Sequence, residues 1–354
     1  MYPKIQIKLS GIIENVKRTK ELCKQNGISL AVVTKLLADN REIVQAIVES
    51  GVDYICDSRI QNLISYKDIN TEKWLIRSPS NDEIPDVIRY ADASLNSEIE
   101  TIKKLNAEAK KQGKTHKVIL MYELGDLREG CLKPELEEIA GEALHLSNIE
   151  LYGVGVNLSC YGEIVPSEKN MKELEEVVLE LERKYNIKFK MVSGGNSSSF
   201  NMMKNGRLPN SINNLRMGEA IYLGNIPCFE EKIDEFNQDN FIVKAEIIEL
   251  KEKPSVPWGE CGLSNSFGEH STFTDRGTRK RAIIGLGKQD VKLEGITPLD
   301  EGIIILGGSS DHIILDVSDS EKQYKVGDII EFMPNYAGVL SCMTSKYVQK
   351  EIVR

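Results

Sequence analysis

Apolar positions in the first two thirds of the chain follow two alternating rhythms, short unbroken runs and stripes at helical spacing. Segment 11–26, GIIENVKRTKELCKQN, sets Ile12, Val16 and Cys23 along one helical stripe, and Gly27 is a stop signal. LAVVTKL (30–36) is apolar, β-branched and too short for a helix, so it predicts a buried strand. The rhythm continues with helix 40–50, strand 53–57, helix 59–66 and strand 74–78. Further strands are expected at 92–95, 117–123, 150–157, 188–193 and 214–223, with helical patterns between most of them. Eight strands at this spacing favour a closed (β/α)8 barrel, although an open doubly wound sheet would give a similar rhythm.

Beyond the polar stretch EEKIDEFNQDN (230–240) the helical patterns nearly vanish. FIVKAEIIEL, RAIIGLG, EGIIILGG, HIILDVS and DIIEFM are β-rich runs separated by Gly, Pro, Asp and Ser turns. The tail from Tyr324 to Arg354 reads as more strand. The expected organisation is an α/β barrel over 1–234 followed by a mainly β domain over 235–354. No internal repeat or low-complexity tract interrupts it.

With 354 residues the chain has room for two domains. Lys and Arg number 45 against 54 Asp and Glu, a net charge of −9 that disfavours nucleic acid as a partner. No run approaches the roughly 18 apolar residues of a membrane helix. The start, MYPKIQIKLSG, lacks the apolar core of a signal peptide, so a cytoplasmic location is expected. Seven cysteines (Cys23, Cys56, Cys131, Cys160, Cys228, Cys261, Cys342) are scattered without a CxxC pair, which argues against disulfides and thiolate zinc. Most are expected to be reduced core residues. The histidines, His116, His145, His270 and His312, are equally dispersed, so no metal centre is expected.

Candidate chemistry gathers at predicted strand ends. Lys35 lies near the end of the first barrel strand, where such enzymes place their sites. Aliphatic neighbours would desolvate its amine and make it a nucleophile; alternatively it is a lysine snorkelling to the surface. MVSGGNSSSF (191–200) offers glycines for close backbone approach and the donors Asn196, Ser197, Ser198 and Ser199, the makings of a phosphate cradle or of a flexible loop. NLRMGEAIYLG (214–224) adds Gly218 with Arg216 beside it. MYELGDLREG (121–130) runs into a turn where Gly130 aims Arg128, or is a solvated rim. None matches a P-loop or GxGxxG, so nucleotide binding has little support.

VVTKLLADN, ELGDLREG, SGGNSSS and LRMGEAIYLG, in this order and spacing, resemble the alanine-racemase-like, fold type III pyridoxal-phosphate enzymes. The likeness covers nearly the whole chain. DRGTRKRAIIGLGKQDV, LGGSSDHIILDV and SKYVQK make it most similar to the ornithine racemase branch. The resemblance implies that Lys35 is the Schiff-base lysine and Ser197 a phosphate-binding serine, and the loop reading above sets Asn196 beside it in the cradle. It makes Gly218 and Glu219 backbone phosphate donors, and it sets Arg216 against the pyridine nitrogen and Arg128 near the phenolic oxygen. An arginine cannot surrender its proton, so the ring nitrogen would stay neutral and the cofactor a weaker electron sink, which suits racemization.

Three departures accompany the likeness. Leu286, in IGLGKQD, stands where a catalytic tyrosine is expected. Met121 stands at a carbamylated-lysine position, so no carbamate is expected to orient Arg128. PNYAG has Tyr336 in place of a metal-ligating histidine of related aldolases and dehydratases, so that metal site is not expected. Racemization exchanges protons on both faces of the α-carbon, and Tyr336 ranks first as the second group, ahead of His312 and Cys342. Tyr336 could equally bind phosphate or simply pack, and a phenol needs a nearby cation to act as a base. The implied protein is a homodimeric ornithine racemase. A lyase or decarboxylase of the same fold and a non-catalytic cofactor carrier are the alternatives.

Overall fold

Parallel strands covered by helices on their outer side read as near-continuous apolar runs, and eight of them close one sheet here. They are β2 (Ser29–Val33), β3 (Tyr54–Asp57), β4 (Glu72–Leu75), β5 (Ala93–Asn96), β6 (His116–Tyr122), β7 (Ile149–Val156), β8 (Met191–Ser193) and β9 (Asn214–Met217), preceded in the chain by β1 (Lys4–Lys8). β9 pairs with β2 in parallel, Met217 opposite Val32, and completes a barrel. The structure is a computed structural model that describes residues 1–260, 262–270 and 272–354.

Helices α1 (Leu9–Gln25), α2 (Arg41–Glu49), α3 (Ile60–Ser65), α4 (Ile84–Tyr90), α5 (Ile99–Lys111), α6 (Lys133–Ala143), α7 (Glu168–Tyr185), α8 (Phe200–Lys204) and α9 (Glu219–Leu223) connect and follow the barrel strands. α1 buries Ile12, Val16 and Cys23, the predicted stripe. α7 opens with a capping box in which the Ser167 hydroxyl accepts from the Asn170 N–H and the Asn170 side chain accepts from the Ser167 N–H. Inside the barrel, alternate positions such as Ala31, Val33, Cys56, Trp74, Leu95, Ile119, Met121 and Met191 form a packed core. Gly153 is forced by packing: a Cβ there would fall 2.0 Å from the Met191 carbonyl oxygen. After α9 a short hairpin, β10 (Asn225–Ile226) and β11 (Glu231–Lys232), ends this unit.

The second unit is an antiparallel sheet built from β12 (Phe241–Pro254), β13 (Thr278–Ile284), β14 (Ile296–Pro298), β15 (Ile304–Gly308), β16 (Ile313–Asp316) and β17 (Ile329–Pro334). Its order is β14-β17-β12-β13-β16-β15. The long β12 serves three neighbours, β17 and β1 along its first half and β13 along its second, with a bulge between Ile247 and Glu249. Helix α10 (Tyr336–Thr344) and strand β18 (Gln349–Val353) finish the chain.

Several expectations change. Residues 1–8 do not belong with the barrel: β1 pairs with β12 and β18, so the compact units are 9–238 and 1–8 with 239–354. The alternation of Ile5 and Ile7 with lysines and glutamine suits a strand with one buried face, here between β12 and β18, not an all-apolar barrel strand. The tail contains α10 where strand was expected, because Asn335 caps it by accepting from the Gly338 N–H. Strand 30–36 ends at Val33, and Lys35–Leu37 form a 3-10 turn. Strand 214–223 ends at Met217, since Gly218 turns the chain into α9.

Four cysteines (Cys23, Cys56, Cys131, Cys342) are buried free thiols, whereas Cys160 is exposed and Cys228 half-buried; the expectation for Cys261 lies outside the described residues. No helix of the described residues is long and apolar enough to cross a membrane.

Candidate active site

All eight barrel strands run in parallel, so their C-terminal ends, and every candidate residue of the first unit, meet at one mouth. Lys35 opens the turn after β2. Leu36 and Leu37 are buried, leaving Lys35 as the half-buried member of the turn. Thr34 locks the turn to the next strand: its hydroxyl donates to Asp57 Oδ2 at 2.8 Å. Asp57, fully buried at the end of β3, also accepts from the Arg59 N–H and the Asn62 amide. Burial pushes its carboxyl up to about 6, against those hydrogen bonds.

Across the β2–β9 seam lies the cradle. The Ser197 hydroxyl accepts from the N–H of Gly218 at 3.3 Å and of Ala220 at 3.1 Å. Asn196 accepts from the Ser198 N–H at 2.9 Å and donates to the Leu158 carbonyl at 2.9 Å and to Cys160 Sγ at 3.2 Å. Gly195, at φ +104°, makes the backbone reversal that a side chain would strain, and a Cβ on Gly218 would press on Val33 at 3.3 Å. Buried Ser198 Oγ has no hydrogen-bond partner among the described residues. Glu219 follows, half-buried, its carboxyl pushed up to about 7 by burial, while the charge of Lys35 pulls the other way. That effect places the Glu219 carboxylate within electrostatic reach of the lysine.

Arg216 is 2% exposed and points into the barrel mouth, where Gly155 leaves room: a Cβ on that glycine would sit 3.4 Å from the guanidinium. It donates to the Ser193 hydroxyl, to the Val156 carbonyl at 2.8 Å and to Asn157 Oδ1 at 2.6 Å. All three acceptors are neutral. Burial lowers its pKa, yet guanidinium starts so far above neutrality that it keeps its charge. Arg128 is the opposite case, an exposed arginine on the loop after β6 whose Nε meets Glu129 Oε2 at 2.7 Å.

The structure therefore gathers Lys35, Arg128, Asn196, Ser197, Arg216, Gly218 and Glu219 at one end of the barrel. Tyr336 belongs to the other unit, half-buried at the first position of α10. In that unit Leu286 is fully buried. Cys342 is buried too, and burial pushes its thiol up to about 12, so it holds its proton. His312 is half-exposed beside Asp311, 3.2 Å away. Among the described residues no three His, Cys, Asp or Glu side chains cluster to hold a metal ion.

Sequence reasoning missed the supports. Asp57 and Asn157 carried no motif, although each closes a predicted strand, while Ser193, Asn214 and Glu129 lay inside the quoted segments without being singled out.

Residues 7–226 match the family of alanine racemase N-terminal domains, and residues 270–350 match a family of serine dehydratase domains. The chain is 46% identical to the ornithine racemase of Acetoanaerobium sticklandii over 354 residues, 100% of both chains. It is 36% identical to the lysine racemase of Thermotoga maritima over 353 residues, 99% of this chain and 98% of the relative. Of solved structures, alanine racemase from the D-cycloserine-producing Streptomyces lavendulae superposes with a TM-score of 0.78, covering 100% of this chain and 98% of its own, at 14% identity. That last likeness is one of fold.

Proposed function

The chain belongs to the alanine racemase family, and on that footing we propose that it is a pyridoxal-phosphate-dependent racemase interconverting L- and D-ornithine by proton transfer at the α-carbon. The observation that carries this reading is 46% identity to an ornithine racemase along the full length of both chains. The 36% identity to a lysine racemase supports the same substrate class, amino acids with a distal ammonium.

The residues at the barrel mouth fit the cofactor. An unpartnered buried hydroxyl, Ser198, stands beside converging N–H groups and Ser197, the donor chemistry a phosphate needs. A charged arginine with neutral partners, Arg216, retains its field for a ring nitrogen.

When bound, pyridoxal phosphate supplies an aldehyde for covalent attachment and an electron-withdrawing ring that acidifies the substrate α-C–H. Lys35 would hold the group through its amine and would take or return the substrate proton on its own face. Ser197 and the N–H groups of Gly218 and Glu219 bind the phosphate, with Asn196 shaping the loop. Arg216 would donate to the ring nitrogen without giving up its proton, which would keep the ring a modest electron sink. Arg128 would meet the phenolic oxygen. Tyr336 would serve the opposite face, ranked ahead of His312 and Cys342. The reading includes a homodimer and a cytoplasmic setting, the latter in keeping with six free cysteines among the described residues.

Ornithine incubated with the enzyme in deuterium oxide tests the reading. Each enantiomer should gain solvent deuterium at Cα as its mirror image forms, and borohydride should fix the cofactor on Lys35 in peptide mass maps. Exchange confined to another amino acid would move the substrate, loss of the carboxyl or side chain would make the enzyme a lyase, and attachment elsewhere would remove Lys35. In Tyr336→Phe, which deletes only the hydroxyl, Cα–H exchange should survive for one ornithine enantiomer; undiminished racemization would remove Tyr336 from the mechanism.

A further inference from the structure

The loop between β6 and α6 carries three acidic residues, and they serve different ends. Its base is closed by the Glu123 N–H donating to the Cys131 carbonyl at 3.0 Å and the Cys131 N–H donating to the Met121 carbonyl at 2.9 Å. The Glu123 carboxylate accepts from the N–H groups of Gly125, Leu127 and Arg128. Asp126, 1% exposed, accepts from the N–H groups of Cys160, Tyr161 and Gly162 and so ties this loop to the one after β7. A Cβ on Gly130, at φ +157°, would come within 2.9 Å of the Glu123 nitrogen. Two carboxylates and a glycine thus shape the backbone. Glu129 has no part in that. Its two oxygens go to side chains, Oε2 to Arg128 Nε at 2.7 Å and Oε1 to the Asn157 amide at 3.1 Å.

From Asn157 the connection runs inward. Its Oδ1 accepts from Arg216 at 2.6 Å, Arg216 donates on to Ser193, and Ser193 donates to Asn214 at 2.6 Å. Asn157 has one nitrogen and one oxygen to present, and the carboxylate on one side with the guanidinium on the other sets which way its amide lies. Met121, on the strand beneath Arg128, is a buried thioether and brings no charge. Glu129 is the carboxylate that meets the Arg128 guanidinium.

The geometry points to Glu129 as a positioning residue for the cofactor site, one side chain that sets Arg128 directly and Arg216 through Asn157. This rests on the reading of the barrel mouth as a pyridoxal-phosphate site. A flexible arginine on an exposed loop sacrifices much rotamer freedom to meet a ligand atom, and an anion that holds it beforehand reduces that cost. The same pair contributes little to folding, since ion pairs this exposed rarely do. A positioning role and a merely structural one therefore predict different results.

The full-length Glu129→Gln protein, stripped of cofactor and titrated with pyridoxal phosphate, separates them. Its thermal midpoint without cofactor should match the parent, its affinity for the cofactor should fall about tenfold, and the visible absorption band of the bound cofactor should shift. Asn157→Ala should lower affinity as well, and the double variant should bind no more weakly than the weaker single one, because both cut one chain of contacts. Parent-like affinity and spectrum in Glu129→Gln, or effects of the two changes that multiply, would overturn the proposal. If Glu129→Gln loses its melting transition, Glu129→Asp keeps the charge but shortens the reach, and the same expectations apply to it. A parent that takes up no pyridoxal phosphate, or does not attach it to Lys35 on borohydride reduction, refutes the cofactor reading instead.

Discussion

The two arginines of the barrel mouth solve the same problem in opposite settings. Arg216 lies under the rim, 2% exposed, held by a hydroxyl, a carbonyl and an amide, none of them charged. Arg128 stands on a loop, its side chain 37% exposed, held by a carboxylate. Burial makes each hydrogen bond to Arg216 costly to lose and leaves its charge uncancelled toward the interior. Exposure makes the Arg128 pair cheap to break, so its worth lies in orientation. The inner half of the mouth thus carries more of the fold stability, and the outer half, on the cofactor reading proposed above, would serve ligand positioning.

That division can be broken by substitution, beginning with the deepest group. Arg216→Met should destabilise the cofactor-free protein by about 3 kcal/mol in urea unfolding, because three acceptors lose their donor while only a buried charge is relieved. A change below ~1 kcal/mol would mean that the inner half is not held as described. Glu219 should make itself felt through pH. Its carboxyl is pushed up to about 7, above an unfolded value near 4.3, so the folded state holds the proton longer. The stability of the cofactor-free protein should then fall as pH rises from ~4.3 to ~7 and level off above, by about 2 kcal/mol once its partial exposure is discounted. Glu219→Gln should flatten that slope, and an unchanged slope would assign it to other groups.

Ser197→Ala removes the acceptor shared by the Gly218 and Ala220 N–H groups and should cost about 1–2 kcal/mol of stability. It should weaken cofactor binding as well, and intact phosphate affinity would count against the cradle. Arg128→Met is the mildest for folding, below about 0.5 kcal/mol in the same urea experiment. A larger loss would show that the outer half also supports the fold and would erase the contrast between the two arginines.

Apolar runs sufficed to count the barrel. KVILMYE and WLIRS each mark a strand that structure places in the closed sheet, because strands buried on both faces tolerate few polar residues. The β-rich texture beyond residue 240 announced the antiparallel sheet for the complementary reason, short runs broken by turn residues. Lys35, the Ser-rich loop and Arg216 were readable because glycine, hydroxyl and cation at a strand end are a local pattern. Where strands gave way to turns, local pattern failed. EAIYL and YAGVLSCMT are apolar enough to pass for strand, yet Gly218 and Asn335 start helices there.

What lay beyond reach of the linear pattern was pairing across long separations. β1 joins the second sheet because Ile5 and Ile7 find partners more than two hundred residues away, and no local rhythm encodes a distant partner. The same holds for the supports of the mouth. A glutamate in ELGDLREG, an asparagine closing a strand and an arginine beside a glycine are unremarkable apart; barrel closure brings them within hydrogen-bonding distance. The chain's own order of residues specified the barrel, the β unit and the chemistry to hand, since these follow from burial and short-range backbone preference. Which carboxylate holds which arginine was settled by three-dimensional packing, because a hydrogen bond depends on distance and direction rather than on position along the chain.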